Sequence, residues 1–452
     1  MKKLLIIGGG GAGMFSAIVA TQLKKGKFEA SILSDEKDIY CRCSTPYILT
    51  KRAKLKDAIQ PDSMIVDYGV NLIHEKAVSV NTRKKIVTTD KNNSYSYDYL
   101  VIGSGARPFV PPIEGVDSEN VFTVRGSSDV RSISKKIKKG AKTVVIGGGI
   151  IGVEMAGALD IRGVKTEIVE VQHQLLSGIA DTEYTLKLHD LLEDNSIKVH
   201  LESMVTKIST RKNGSKIITV KTSKGLKKLS ADFVIVAVGV RPNTEFLAGS
   251  GIKLDSRGHI LVNDHMRTNK SHIYACGDCV SSSHAVTGEK SPSPLASVAI
   301  QQAKIVGYSL AGMPIKYHGH TNSCAFETFD TEYAEVGLSE EHARKQYKLV
   351  VVGRAQTTDI YKDMNVVKPL EVKLIFAGLR MKLVGAQAYG RGTVTPIEIA
   401  SFAISQKLNI LKMLRYNYLA HPSLSAWPFM NPIIMATEDA LGNIMKWFKK
   451  SK

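Results

Sequence analysis

One pattern occurs twice in this chain and constrains its fold more than any other feature: an apolar strand, a glycine cluster, then a helix rich in small residues. In the first copy residues 3–7 lead into Gly8-Gly9-Gly10-Gly11-Ala12-Gly13 and a helix over 14–23. In the second, residues 143–146 lead into Gly147-Gly148-Gly149-Ile150-Ile151-Gly152 and a helix over 153–159. Gly8, Gly10 and Gly13, like Gly147, Gly149 and Gly152, fit G-x-G-x-x-G, in which missing side chains let the backbone approach a pyrophosphate at a helix N-terminus. A second strand follows each loop, over 29–33 and 165–169, and ends near a carboxylate: Asp35, 22 residues past Gly13, and Glu170, 18 residues past Gly152. Carboxylates so placed bind ribose hydroxyls. The pattern alone leaves open a glycine turn in some other α/β sheet, or a duplicated domain with one dead site. Two working sites about 140 residues apart point to hydride transfer from a nicotinamide to a bound flavin. No arginine closely follows Glu170 to neutralise a 2′-phosphate, which favours NADH over NADPH.

A length of 452 residues calls for several domains, and 43% hydrophobic with 23% charged residues excludes disordered and collagen-like chains. The net charge of +19 invites a nucleic-acid or membrane reading. Its densest block, residues 135–139, lacks interleaved aromatics and reads as a solvated helix face. The basic tail 446–452 reads as a docked or frayed terminus rather than a membrane contact. No membrane span is expected, because the opening apolar run is cut short by glycines and the stretch 143–159 carries Glu154 as well as glycines. Five cysteines are too few for a disulfide scaffold, and the close pair Cys41-Arg42-Cys43 points to thiol chemistry in a reducing compartment, the cytoplasm by default. Cys276 and Cys279 form a C-x-x-C with no second pair to complete a metal site, so no metal is expected.

Cys43-Ser44-Thr45-Pro46-Tyr47 is the sharpest local motif. Ser44 or Thr45 can cap a helix whose first turn holds Pro46, placing the Cys43 sulfur beside a helix N-terminus and Arg42, both of which favour thiolate. Ser293-Pro294-Leu295-Ala296 reads similarly, as an N-cap followed by proline at the first helical position.

Residues 97–108, running through Gly105, look like a crossing between nucleotide domains, and residues 234–243, running through Gly239, look like the return. With Ala275-Cys276-Gly277-Asp278 and the Cys43 motif, they make the chain resemble the FAD-dependent pyridine nucleotide-disulfide oxidoreductases. The likeness is greatest to the single-cysteine branch of coenzyme A-disulfide reductases, NADH oxidases and NADH peroxidases. It implies an α/β fold of two Rossmann-like dinucleotide-binding domains, for FAD and NAD, plus an α+β C-terminal dimerisation domain. The FAD domain would span 1–115 and 245–319, the NAD domain 116–244 and the dimerisation domain 320–452. Asp278 would hold the flavin ribityl chain, Ala296 would offer a backbone donor to the flavin pyrimidine, and Arg42, Gly105 and Gly239 would line the cofactor sites. Cys43 would carry electrons to a disulfide such as that of coenzyme A or a polysulfide; the alternative is an NADH oxidase that reduces oxygen through a cysteine sulfenic acid.

Residues 372–376 and 382–387 read as strands and 396–405 as a helix of the dimerisation domain. His421-Pro422-Ser423 resembles the His-Pro-Thr of the larger disulfide reductases, which makes His421 a candidate acid. Four departures accompany the likeness: Cys41 is an extra thiol, either resolving or a bystander; Ala426 replaces the glutamate that would orient His421; the first glycine loop lacks the peroxidase-type histidine; and Ile150 replaces a flavin-shielding tyrosine. A flavin-bearing binding or membrane-associated protein remains the different-class alternative.

Overall fold

The computed structural model describes residues 1–450. By backbone packing these divide into two compact units, one of residues 1–112, 121–137 and 236–320 and the other of 113–120, 138–235 and 321–450. Residues 121–137, which the sequence division assigns to the second nucleotide domain, pack in the first unit. Within that unit the Ser127 hydroxyl donates to Asp38, and Arg131 reaches the same carboxylate at 3.2 Å.

The first unit is built on a parallel sheet ordered Ile273–Ala275, Tyr99–Ile102, Lys2–Ile7, Phe28–Leu33, Val70–Ile73. Its strands are runs of β-branched and leucine residues because both faces are covered; Ile6, Ile32, Leu100 and Ile102 are wholly buried. Helix Gly11–Leu23 lies against helix Ala296–Leu310 at Gly307, where a Cβ would come within 2.5 Å of Val19. The two expected crossings pair with each other: Ala106–Pro108 and Val240–Pro242 form an antiparallel ribbon, with Gly105 and Gly239 in left-handed conformations at its ends.

In the second unit Lys142–Ile146, Lys165–Val169 and Lys198–His200 are parallel, with Phe233–Val236 on the far side of Lys142–Ile146. The C-terminal third is a five-stranded antiparallel sheet, ordered Cys324–Thr328, Thr331–Gly337, Lys382–Gly390, Pro369–Ala377, Val350–Thr358, flanked by helices Val394–Ser405 and Pro432–Lys450. It is joined to the nucleotide-binding half by close packing and charge. Gly157 lets helix Ile150–Ile161 approach Thr328, where a Cβ would sit 2.2 Å from the hydroxyl. Lys373, fully buried, meets Asp181 at 2.9 Å, Glu183 at 2.7 Å and Glu340 at 2.8 Å. A buried ammonium is tolerable only when so paired, and removing a partner costs about 3–5 kcal/mol.

One expectation, that of a basic helix face, changes. The basic block 135–139 is solvated but not helical, because helix Ser127–Ser134 ends before it; continuing would stack lysines at i,i+3 and i,i+4. The tail 446–450 closes helix Pro432–Lys450, which docks on strand Val350–Thr358 where Gly353 admits the Ala436 carbonyl. Residues 451 and 452 lie outside the described residues. No helix among the described residues is long and apolar enough to cross a membrane.

Candidate active site

The first glycine loop is shaped by contacts that only glycine permits. Gly8 has φ +109°, and a Cβ there would lie 2.2 Å from the Gly103 carbonyl oxygen; one on Gly13 would lie 1.9 Å from that of Gly8. Gly10, the N-cap of helix Gly11–Leu23, has no side chain to cap the first-turn amides, and a Cβ built on it meets nothing within 4 Å. The loop therefore offers unoccupied N–H donors with open space before them, as a pyrophosphate requires. Asp35 is exposed just beyond strand Phe28–Leu33. Gly277, at φ +83°, comes so close to Ala12 that a Cβ would meet its methyl at 2.8 Å, which sets the Asp278 segment against the loop.

Asp278 does not stand alone. Arg125 donates to its carboxylate at 3.1 Å, and the Arg125 carbonyl accepts from Arg42 at 3.1 Å. Arg42 also forks onto Glu36 at 2.7 and 3.0 Å. Burial, then the Arg42 charge, lowers the Arg125 pKa, and Asp278 opposes both. The Arg125 Nε is buried without a hydrogen-bond partner. A buried donor so placed fits an acceptor-bearing ligand in this cluster. Sequence reasoning missed Arg125, whose only local signal is its place before Gly126, where Asp129 accepts the N–H of both residues.

Cys43 lies in a 3₁₀ turn, Arg42–Ser44, ahead of a five-residue helix, Thr45–Leu49. Both Cys41 and Cys43 are exposed and neither is in a disulfide. Two parts of the thiolate argument are corrected. Ser44 occupies the N-cap but makes no side-chain cap bond, and the Thr45 hydroxyl pairs with the Tyr40 hydroxyl at 2.7 Å, leaving a very short uncapped helix. The Arg42 charge is shared with Glu36. Cys276 and Cys279 are buried; their thiols donate to the carbonyls of Ala12 and Ile102, each at 3.6 Å, and burial raises both pKa values. They pack rather than react, and no group of residues able to hold a metal occurs among the described residues.

In the second loop Gly147 has φ +108° and a Cβ on Gly152 would lie 2.0 Å from its carbonyl oxygen. Gly149 again faces open space. Glu170 turns back onto this loop, accepting from the Gly148 N–H at 2.5 Å and the Gln172 N–H at 2.8 Å. Each oxygen keeps a lone pair for a ribose hydroxyl. Ala296 is the first residue of helix Ala296–Leu310, so its amide is free of helical partners, as a donor must be. The cap is corrected: Leu295, not Ser293, is the N-cap, because the Leu295 N–H bonds the Ser293 carbonyl in a turn that places Pro294 before the helix. His421 belongs to the second unit, and Cys43 to the first. Its Nδ1 faces the Ser423 hydroxyl at 3.2 Å.

A family model for pyridine nucleotide-disulphide oxidoreductases matches residues 2–303, and the model of that family's dimerisation domain matches 324–429. The chain belongs to this family. It is 34% identical over 451 residues to an NADH oxidase of Methanocaldococcus jannaschii, covering 97% of this chain and 98% of that one. To a coenzyme A disulfide reductase of Staphylococcus aureus it is 27% identical over 443 residues, covering 94% and 97%. The solved NAD-dependent persulfide reductase of A. fulgidus superposes with a TM-score of 0.91 at 27% identity, over 98% of this chain and 84% of that one. The chain is thus an oxidoreductase with the family's two nucleotide folds and its dimerisation domain.

Proposed function

We propose that this chain, as a cytoplasmic homodimer, takes an electron pair from NADH and delivers it through FAD and Cys43 to a small-molecule disulfide. The observation that carries the reading is the Arg42–Arg125–Asp278 chain: it pins the exposed Cys43 segment to the same cluster that faces the first glycine loop. FAD, when bound, accepts the hydride and hands its electron pair to sulfur. Gly8, Gly10 and Gly13 would admit its pyrophosphate, Asp35 its ribose, Asp278 its ribityl hydroxyls, and the Ala296 amide its pyrimidine edge. Arg125 would hold Asp278 in place and turn its unpartnered Nε toward the cofactor. Gly147, Gly149 and Gly152 would admit the NADH pyrophosphate, with Glu170 on the adenosine ribose. Cys43 would attack the substrate disulfide, and His421 of the partner subunit would protonate the departing thiolate. Five cysteines in 452 residues, too few for a disulfide scaffold, support a reducing compartment.

A second reading has oxygen as acceptor and Cys43 cycling through a sulfenic acid; the Methanocaldococcus jannaschii relative named as an NADH oxidase favours it. The test is NADH consumption with oxygen alone and, anaerobically, with coenzyme A disulfide or polysulfide, in the parent and in Cys43→Ser. The disulfide reading expects rapid anaerobic turnover that Cys43→Ser abolishes while NADH still bleaches the flavin. Full disulfide turnover in Cys43→Ser refutes the thiol relay. Negligible disulfide turnover alongside rapid Cys43-dependent oxygen turnover establishes the oxidase instead.

A further inference from the structure

The extra thiol is placed to do chemistry. Among peptide geometries, the separation of residues i and i+2 depends on the dihedrals of the residue between them. Arg42 lies in the 3₁₀ turn Arg42–Ser44, so the Cys41 and Cys43 Cα atoms sit roughly 5.5 Å apart rather than the roughly 6.5–7 Å of an extended residue. Disulfides span about 4.4–6.8 Å between Cα atoms. The turn thus supplies a spacing that the sequence alone leaves marginal.

Two backbone hydrogen bonds hold this geometry. The Cys41 N–H bonds the Ala58 carbonyl at 2.8 Å, continuing the ladder of Ile39–Tyr40 with Ile59–Gln60, and the Cys41 carbonyl accepts from Ser44 at 3.1 Å. Between the thiols, the Arg42 side chain is drawn off to Glu36 and the Arg125 carbonyl, so it does not separate the sulfurs. The other three cysteines are not available for this role. Cys276 and Cys279 are wholly buried, and Cys324, in the second unit, is raised by burial and by Glu335.

We propose that Cys41 resolves the mixed disulfide on Cys43, so that the enzyme cycles through an internal Cys41–Cys43 disulfide. This rests on the reading of Cys43 as the attacking thiol. Cys43 thiolate attacks the disulfide RSSR, forming Cys43–S–S–R and releasing RS⁻, which takes up a proton. Cys41, losing its proton, then attacks the Cys43 sulfur; the Cys41–Cys43 bond forms, the Cys43–SR bond breaks, and the second RS⁻ leaves to take up a proton. NADH and one proton return the internal disulfide to two thiols with release of NAD⁺. The consequence is broad acceptance of small disulfides, since release of the second half is internal and needs no group on the substrate.

The probe is one equivalent of 5,5′-dithiobis(2-nitrobenzoate) per reduced, FAD-loaded protomer under anaerobic conditions. The parent should release two nitrothiolates per reagent, and its mass should fall by two hydrogens with no adduct. Cys41→Ser, which changes an exposed side chain and should keep its flavin absorbance, should release half as much and retain one nitrothiolate adduct. An adduct persisting on the parent, with one nitrothiolate released, overturns the pairing. If that occurs while disulfide turnover still depends on Cys43, the pairing alone has failed. If the parent forms the internal disulfide but NADH does not restore both thiols, the pairing holds and the electron relay of the proposed function fails.

Discussion

The two glycine loops are nearly the same backbone in different surroundings. The first glycines differ by one degree in φ, +109° and +108°, and in each loop the third glycine would drive a Cβ to about 2 Å from the carbonyl of the first. Their carboxylates are handled differently. Asp35 stands exposed and makes no ion pair among the described residues, whereas Glu170 is tied to its own loop through the Gly148 N–H. The first loop's unit also holds the exposed thiol segment and its Arg42–Arg125–Asp278 chain, whereas the charged cluster of the second loop's unit is the buried Lys373 network. The shared glycine geometry leaves both loops open in the same way, and what distinguishes them is the side chains around them.

The largest effect should come from breaking each loop in turn. Alanine at Gly8 meets the Gly103 carbonyl and an unfavourable φ, and alanine at Gly147 meets the same φ. Gly8→Ala is expected to purify without flavin, a loss of affinity of about a hundredfold or more. Gly147→Ala should keep its yellow colour yet lose NADH bleaching to a similar extent. Absorbance at purification and stopped-flow bleaching separate them; if both variants lose flavin, the assignment of one nucleotide to each loop is wrong.

A smaller effect tests the carboxylate difference. Glu170 should repel a 2′-phosphate, so kcat/KM is expected to favour NADH over NADPH by about tenfold or more. Glu170→Gln should narrow that ratio while preserving flavin content, whereas Asp35→Asn should leave the ratio alone and weaken flavin retention. Equal use of both nucleotides by the parent would show that holding Glu170 against Gly148 removes it from selection.

What could be read from the sequence follows the same division. The glycine loops, their strands and both crossings were legible because each is set by residues within a few positions of one another. The Cys43 motif was legible as a thiol segment, but its surroundings were not: the Arg42 charge is spent on Glu36, and the Thr45 hydroxyl on Tyr40. Arg125 was invisible because it meets Asp278 across 153 residues of chain. The helix start expected at Ser293–Pro294 shifted because a turn bond between Leu295 and Ser293 competes with the cap. The buried Lys373 network reads locally as ordinary surface charge, since its carboxylates come from two segments, Asp181 with Glu183, and Glu340, both distant in sequence from Lys373.

The smallest expected effect is on stability, and it has opposite signs in the two units. In the first, burial, with the nearby His320, pushes the His284 pKa down from 6.5 to about 4. The unfolded chain then binds the proton more tightly, so the contribution is present above about pH 6.5 and lost as pH falls toward 4. In the second unit burial raises Glu335 from 4.5 to about 8, despite hydrogen bonds from Tyr333 and Cys324, and raises Glu154 to about 7. Here the folded state binds the proton more tightly, so stability is lost as pH climbs from about 4.5 to about 8. Glu335→Gln should therefore gain on the parent as pH rises through that range, and His284→Asn as pH falls below 6.5. The expected slope is about 3–5 °C in Tm per pH unit for a unit of this size. Thermal melts of the three proteins from pH 4 to 8 measure it. A Glu335→Gln advantage that stays constant with pH would mean the carboxyl titrates in the folded protein as it does in the unfolded chain, and the contrast between the units would then rest on His284 alone.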